Sequence, residues 1–169
     1  MPYPEPLVAP MRQELTRLGV DELRTAADVE AAFAQPGSML LVVNSVCGCA
    51  AANARPAVAL AQQGAVQPDR YATVFAGQDL EATATARHLL AGIPPSSPSM
   101  FLVVDGEPVF AVERRHIEGR SAGAIATDLV RAFAEHLGSQ GDGSAATRPD
   151  VPATSAEERG LPSTFRSIL

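Results

Sequence analysis

The chain has 169 residues, of which 46% are hydrophobic and 19% are charged, and its formal net charge is −6. That length supports one domain with its own core, and an acidic balance without a long basic stretch argues against nucleic acid as a partner. The sequence has no run of about 18 apolar residues for a membrane helix and no basic-then-apolar N-terminus typical of a secretory signal, so we expect a cytoplasmic protein with no membrane partner.

Two short helices are predicted before the first strand. Apolar residues recur at helical spacing in the first of them: Leu7, Met11, Leu15 and Leu18. Gly19 is a natural end for this helix. Thr25 and Asp28 have the spacing of a capping box, which predicts a second helix that ends at residues 36–37.

The only two cysteines lie between a predicted strand and a predicted helix. Residues 39–43 form an apolar run typical of a buried strand, and the alanine-rich residues 50–63 predict a helix that Pro56 would bend. Cys47 and Cys49 therefore fall at a strand-to-helix turn. The free amides and the dipole at a helix N-terminus favour a thiolate over a thiol. We expect one of the two thiols to be activated.

A further strand is predicted at residues 71–75, followed by a helix that ends near Gly92. Asp79 is a candidate side chain for capping the start of that helix. Its predicted buried residues are Leu80, Leu89 and Leu90.

A β-hairpin and a last helix complete the predicted core. The strands at residues 100–104 and 109–112 are joined by Asp-Gly, a strong tight-turn signal. Ser121 is a candidate cap for a helix that Gly138 ends. Its apolar residues have helical spacing: Ile125, Leu129, Phe133 and Leu137.

Composition divides the chain at Gly138. Residues 1–138 hold the predicted domain, whereas residues 139–169 are predicted to be a disordered C-terminal tail, poor in large apolar residues as far as residue 163. Residues 161–169 regain Leu, Phe and Ile. They would either dock on the domain or a partner, or fray as a terminus, and we favour the second.

The predicted core order is βαβαββα after two N-terminal helices, which places the chain in the α/β class. This is the order of a thioredoxin-like domain, with three layers, α/β/α. In that fold the reactive turn lies between the first core strand and the first core helix. Cys47 and Cys49 occupy that position.

The cysteines form Cys-x-Cys, so a disulfide between them closes a small, strained ring, which Gly48 would ease. Such a disulfide is easily reduced. We predict that Cys47 is the more exposed and attacking thiol, with Cys49 as the second cysteine. The alternative of two buried structural cysteines is disfavoured by the turn-forming residues around them.

Several neighbouring residues are candidates for substrate binding. Pro98 precedes the strand at residues 100–104, where thioredoxin-like domains carry a cis-proline, and a cis bond after Ser97 would present backbone groups to an extended substrate. Arg55 would offset thiolate charge or bind an anionic group on a small thiol, or would lie on the helix surface. The full predicted set is Asn44, Ser45, Gly48, Arg55, Ser97 and Pro98.

A metal site is not predicted. Structural zinc commonly takes four ligands, and the three histidines, His88, His116 and His136, fall on separate predicted elements without ligand spacing. The sequence 113–116 is cationic, and we expect a solvated loop there. A module in which the two thiolates alone hold a soft metal is the non-enzymatic alternative.

Specific motifs resemble the bacilliredoxins, the YphP/YqiW family. They are Asn-Ser-Val-Cys-Gly-Cys-Ala-Ala at 44–51, Ala-Arg-Pro at 54–56, Phe-Ala-Gly-Gln-Asp at 75–79 and Pro-Ser-Ser-Pro-Ser-Met at 95–100, with Ile-Glu-Gly at 117–119 and Pro-Met-Arg at 10–12 before Glu14 and Leu15. The resemblance covers residues 7–137. The tail departs from the shorter family members.

The resemblance implies a thioredoxin-like fold and thiol-disulfide exchange that removes bacillithiol from protein mixed disulfides. Cys47 would take the bacillithiol, with no bound cofactor and bacillithiol as co-substrate. The implied partners are bacillithiolated client proteins and a small-thiol or protein reductant, and the expected state is a monomer or weak homodimer. The alternative is a general disulfide isomerase or reductase, and weak isomerase activity is associated with the family.

Overall fold

The computed structural model describes residues 2–138, which form a five-stranded sheet and five α-helices. In chain order these elements are α1 (Glu5–Thr16), β1 (Asp21–Glu22), α2 (Ala26–Ala34), β2 (Ser38–Asn44), α3 (Arg55–Ala61), β3 (Arg70–Phe75), α4 (Leu80–Leu89), β4 (Ser99–Val104), β5 (Glu107–Val112) and α5 (Ala122–Leu137). A π-helical turn, Ala50–Ala54, precedes α3, and a 3-10 turn, Arg114–His116, follows β5.

The sheet has the strand order β1-β3-β2-β4-β5. The central strand β2 is buried along its whole length and runs parallel to β3 and antiparallel to β4. β4 and β5 form the predicted hairpin, and Asp105 and Gly106 at its turn have φ angles of 49° and 82°. The order βαβαββα and the thioredoxin-like fold are confirmed. The two-residue β1, parallel to β3, was not predicted because it is too short to show an apolar pattern.

Successive side chains of the central strands enter two different cores, because side chains alternate across a strand. Leu40 and Val42 pack with α3 and α5 on one face of the sheet. Leu41 and Val43 pack with α2 and α4 on the other. The result is the three-layer α/β/α arrangement, with β2 in its middle.

The capping predictions for α2 and α5 are confirmed. Thr25 accepts a hydrogen bond from the Asp28 amide, and the Asp28 carboxylate accepts from the Thr25 amide, as a capping box requires. Ser121 accepts from the Ala124 amide at the start of α5. The predicted apolar face of that helix is buried at Ile125, Leu129 and Phe133, and Leu137 packs at its edge.

Two burial predictions for α4 are wrong. Leu80 and Leu89 are 58% and 36% exposed, respectively, although Leu90 is buried as predicted. In α1, which forms as predicted, Leu7 is 51% exposed. α4 instead buries small residues such as Ala82 and Ala86, which let it approach the sheet closely. Asp79 precedes α4 but makes no capping hydrogen bond, because its carboxylate accepts two hydrogen bonds from the buried Arg12.

The helix after the cysteines is continuous from the turn into α3, but it widens before Pro56. The Arg55 amide bonds to the Ala50 carbonyl five residues back, as in a π-helix. Pro56 has no N–H, so it cannot donate the backbone hydrogen bond that an α-helix forms at each residue. The wider turn lies where this hydrogen bond would be missing. The predicted bend thus takes the form of a π-helical turn, after which Arg55 points into the protein.

The predicted disordered tail and its apolar end lie outside the described residues. Within residues 2–138, no helix combines the length and the apolar character needed to cross a bilayer.

Candidate active site

Cys47 and Cys49 lie just beyond the carboxyl end of β2, at the start of the helix that leads into α3. The Cys47 carbonyl accepts hydrogen bonds from the amides of Ala50 and Ala51, which closes the first helical turn around the cysteine. Both thiols are free and partly exposed, and Gly48 between them is exposed. A methyl group at Gly48 would meet no atom within 4 Å, so the turn leaves open space there.

The environment of Cys47 favours its thiolate. Partial burial alone would raise the pKa of this thiol, but the Ser45 hydroxyl at 3.2 Å from the sulfur and the nearby Ala50 and Cys49 amides and Cys49 thiol lower it by more. The net effect is a Cys47 pKa below its ordinary value. The lowered pKa agrees with the activation expected at a helix N-terminus, with Ser45 as an additional donor.

Three of the predicted residues form a buried network beneath the cysteine turn rather than an open binding surface. Asn44, Ser45 and Arg55 are 1%, 7% and 4% exposed. The Asn44 side-chain oxygen accepts from the Ser45 amide at 2.9 Å and from Arg55 Nη1 at 3.1 Å. Their arrangement supports the shape of the turn, and only the Ser45 hydroxyl reaches the Cys47 sulfur, at 3.2 Å.

The peptide bond between Ser97 and Pro98 is cis, as predicted. Ser99 is paired with Val43 across β4 and β2, so Pro98 lies beside the end of β2, from which the cysteine turn departs. Pro98 is buried and Ser97 is partly exposed. The cis-proline loop and the reactive turn therefore meet at one edge of the sheet.

Arg114 also lies at this edge of the sheet, a position that its sequence context did not predict. Its amide donates to Ser96 Oγ at 3.3 Å, and its guanidinium donates to the Ser97 carbonyl at 3.4 Å. The pKa of Arg114 is raised, first by its hydrogen bond and ion pair with Glu118 and then by the charges of the Cys47 and Cys49 thiolates. Arg114 and Arg115 are exposed, as expected for a solvated stretch at 113–116, and Arg114 in addition contacts the cis-proline loop.

Glu14 on α1 is a second residue that sequence reasoning missed. Its carboxylate accepts from Arg55 Nε at 2.6 Å, across 41 residues of chain. No short sequence pattern could predict the pairing of Glu14 with Arg55, since the two residues belong to different helices. Glu14 links α1 to the network beneath the cysteines.

The histidines take no part in this site. His116 Nδ1 accepts from the Glu113 amide, and its ring lines a groove of about 320 Å³ between β5 and α5. Among residues 2–138, no group of three or more histidine, cysteine or carboxylate side chains comes close enough together to hold a metal ion.

Comparisons with known proteins agree on one family. A family model described as disulphide isomerase matches residues 3–137. A bacilliredoxin of Salinibacter ruber is 61% identical over 172 residues, which cover 99% of both chains, so this match also includes sequence beyond Gly138. A bacilliredoxin of Cytophaga hutchinsonii is 50% identical over 133 residues, covering 79% of this chain and 98% of that one.

Solved structures include a thioredoxin of Fasciola hepatica, which is 21% identical and superposes with a TM-score of 0.48. That match covers 69% of this chain and 99% of the thioredoxin.

Proposed function

Since the chain belongs to the bacilliredoxin family and is a thiol-disulfide oxidoreductase, we propose that it removes bacillithiol from mixed disulfides on cytoplasmic protein cysteines. The observation that carries this proposal is the place of Cys47 at the start of a helix, with the Ser45 hydroxyl 3.2 Å from its sulfur, an environment that lowers the pKa of the thiol. The thiolate is the nucleophile in disulfide exchange, so a lowered pKa raises the reactive fraction at neutral pH.

In the proposed reaction the Cys47 thiolate attacks the bacillithiol sulfur of the mixed disulfide. A new disulfide forms between Cys47 and bacillithiol, and the client cysteine leaves as a thiolate that takes a proton from solvent. No electrons are gained or lost overall, because one disulfide replaces another. The hydrogen bonds that favour the Cys47 thiolate also make this residue a good leaving group in the following step.

Regeneration requires a second thiol. Free bacillithiol attacks the bacillithiol sulfur held on Cys47, which yields oxidised bacillithiol and the Cys47 thiolate. Alternatively, Cys49 attacks the Cys47 sulfur and releases bacillithiol, and an external small-thiol or protein reductant then reduces the resulting disulfide. Bacillithiol is thus a co-substrate, and the reaction needs no bound cofactor.

The proposed substrate surface is the edge where the cysteine turn meets the cis-proline loop. Gly48 and Ser97 are accessible there, and Arg114 supplies a positive charge for an anionic small thiol. Asn44, Ser45 and Arg55 are buried, so their proposed contribution to substrate binding is the shape of the turn. We propose client proteins as partners of a monomer or weak homodimer.

Intact mass spectrometry tests the proposal directly. Reduced protein is incubated with a bacillithiolated model protein, using the wild type, Cys47→Ala and Cys49→Ala. Transfer of one bacillithiol to Cys49→Ala and none to Cys47→Ala would support both the reaction and the attacking residue. Absence of transfer to every variant, with a generic disulfide still reduced, would overturn it.

A general disulfide isomerase or reductase is the second candidate function, favoured by the description of the matching family model. Refolding of a scrambled disulfide protein, measured beside removal of bacillithiol, separates the two. A faster reaction with the scrambled client would favour the isomerase. A thiol-based metal-binding module, the third alternative, predicts bound metal in protein purified under reducing conditions and loss of that metal in Cys47→Ala.

A further inference from the structure

Arg55 is a buried cation whose partners lie on two sides of it. Only 4% of the residue is exposed, at the end of the π-helical turn. Nε donates to Glu14 Oε2 at 2.6 Å and Nη2 to Glu14 Oε1 at 3.4 Å, so the guanidinium meets the carboxylate in a two-point contact. Burial of an arginine is costly unless its charge is paired, and Glu14 supplies that pairing.

The other side of the guanidinium faces the chain just before the cysteines. Nη1 donates both to Asn44 Oδ1 at 3.1 Å and to the Ser45 carbonyl at 3.2 Å. The same Asn44 oxygen accepts the Ser45 amide at 2.9 Å. Both backbone polar groups of Ser45 are therefore fixed, one by Asn44 and the other by Arg55.

The Ser45 side chain completes the connection to the reactive atom. Its hydroxyl oxygen lies 3.2 Å from Cys47 Sγ, two residues along the chain. A hydrogen bond of this kind depends on where the serine backbone is held, because the serine side chain has only one rotatable bond before its hydroxyl. A continuous series of contacts thus runs from Glu14 through Arg55 and Ser45 to Cys47.

We propose that Arg55, held by Glu14, is a positioning residue that fixes Ser45 so that its hydroxyl donates to the Cys47 thiolate. This inference deepens the proposed function and rests on its assignment of Cys47 as the attacking thiol. Helix α1 thereby becomes part of the active site, although none of its described residues contacts either sulfur by hydrogen bond.

An arginine suits this position better than a lysine does. The planar guanidinium reaches the Glu14 carboxylate with one edge and the Asn44 and Ser45 oxygens with another, in a fixed relative geometry. A lysine ammonium can pair with Glu14, but it cannot hold all three partners in this arrangement. Arg55→Lys keeps the charge and removes the positioning.

The test is a double-mutant cycle read out as the pH dependence of Cys47 alkylation by iodoacetamide. All proteins carry Cys49→Ala, so only one thiol reacts. Ser45→Ala, Arg55→Lys and the double variant are compared. We expect Arg55→Lys and Ser45→Ala each to raise the pKa of Cys47 and to slow alkylation roughly three- to tenfold at about pH 7. The double variant should be no slower than Ser45→Ala alone.

Additive effects in the double variant would overturn the proposal, since Arg55 would then act independently of Ser45. An unchanged pKa in Arg55→Lys would overturn it as well. Glu14→Gln is the milder second variant, at a side chain that is 48% exposed, and it should move the pKa in the same direction by less. If Glu14→Gln leaves the pKa unchanged, the proposed role of Glu14 fails.

Arg12→Lys is the matched control, because Arg12 is a buried arginine on α1 that is paired with carboxylates and makes no hydrogen bond to Asn44 or Ser45. It should lower the melting temperature and leave the alkylation profile unchanged. An equal pKa shift in Arg12→Lys would show that general loosening causes the effect, and the positioning role would be rejected.

The result of this double-mutant cycle can be distinguished from the result of the bacillithiol-transfer experiment that tests the proposed function. Iodoacetamide contains no bacillithiol, so the cycle reports on Arg55 even if no bacillithiol transfer occurs. Conversely, bacillithiol transfer by the wild type together with an additive cycle would leave the proposed function standing and remove only this inference.

Discussion

The Ser45 hydroxyl lies 3.2 Å from the Cys47 sulfur, and it is the side-chain donor that contributes most to lowering the pKa of that thiol. The remaining donors are backbone amides of the helix start and the thiol of Cys49. The helix N-terminus therefore supplies only part of the activation. The side chains of Ser45 and Cys49 also contribute, and Ser45 contributes more.

Replacement of that serine should make the enzyme slower in a way that alkaline pH restores. In Ser45→Ala the pKa of Cys47 should rise, since the thiolate loses a hydrogen bond that contributes about 1.5 kcal/mol, which corresponds to about a tenfold change in the ionisation equilibrium. Disulfide exchange should fall about tenfold near neutral pH and recover well above the new pKa. Stopped-flow reduction of a chromogenic disulfide across pH measures both.

Ser96→Ala is the control for this prediction, because Ser96 Oγ accepts from the Arg114 amide and makes no hydrogen bond to either cysteine. Its pH profile should match that of the wild type. A Ser45→Ala profile that is lower at every pH, without alkaline recovery, would contradict a role in thiol ionisation.

The lowered pKa of Cys47 also links stability to pH. A thiol that ionises more readily in the folded than in the unfolded protein stabilises the fold above its unfolded pKa of about 8.5, and that stabilisation is lost as the pH falls through the folded value. The free energy of unfolding of the reduced protein should therefore rise with pH across this window relative to Cys47→Ala. Urea unfolding of both proteins at several pH values measures the difference. A constant difference would contradict the lowered pKa.

Arg114 should select for negative charge on the attacked disulfide. Its guanidinium donates to the Ser97 carbonyl beside the cysteine turn, and its side chain remains 47% exposed. The pKa of Arg114 is raised, first by Glu118 and in smaller part by the charges of the two thiolates. Arg114→Met should slow reduction of a carboxylate-bearing aromatic disulfide several-fold and leave an uncharged dipyridyl disulfide almost unaffected. The difference should shrink at high salt, because exposed charges are screened.

Arg115→Met is the matched control, since Arg115 is 73% exposed and pairs with Glu113 rather than with the cis-proline loop. It should leave both rates unchanged. Equal slowing of both disulfides by Arg114→Met would mean that the residue supports the loop and does not sense substrate charge.

The sequence predicted the fold well where local chemistry determines it. The capping box at Thr25 and Asp28 and the tight turn at Asp105 and Gly106 depend on side chains a few residues apart, which a pattern can reveal. The prediction failed where the partner of a side chain lies far away in the sequence. Asp79 was expected to cap α4, but a buried arginine 67 residues earlier takes its carboxylate.

The same distinction applies to the candidate site: residues with a local sequence signal were predicted, and residues placed by distant partners were not. Cys47 and Cys49 were identified as a thiol pair at a predicted helix start, and Pro98 from its place in the order of a thioredoxin-like domain. The sequence did not show that Arg55 is buried, because that depends on Glu14, which is on another helix and supplies the countercharge. Arg114 was missed for a related reason: only the folded chain brings the turn after β5 to the cis-proline loop.

Arg12 provides the clearest test of long-range pairing as a source of stability. Its guanidinium is 5% exposed, donates to Asp79, Glu22 and Glu5, and lies 5.1 Å from the centre of the Phe75 ring. The pKa of Arg12 is raised, chiefly by the hydrogen bond to Asp79, so the side chain stays charged. Arg12→Met should lower the free energy of unfolding by about 3 kcal/mol, since it leaves partly buried carboxylates without their cation.

Chemical denaturation with reduced protein measures this loss. Arg131→Met is the comparison, because Arg131 is 70% exposed, pairs with Asp128 at 3.4 Å, and should change stability by less than about 0.5 kcal/mol. The pH profile of Cys47 alkylation should remain that of the wild type in Arg12→Met. A loss no larger than that of Arg131→Met would mean that the three carboxylates around Arg12 contribute little net stability.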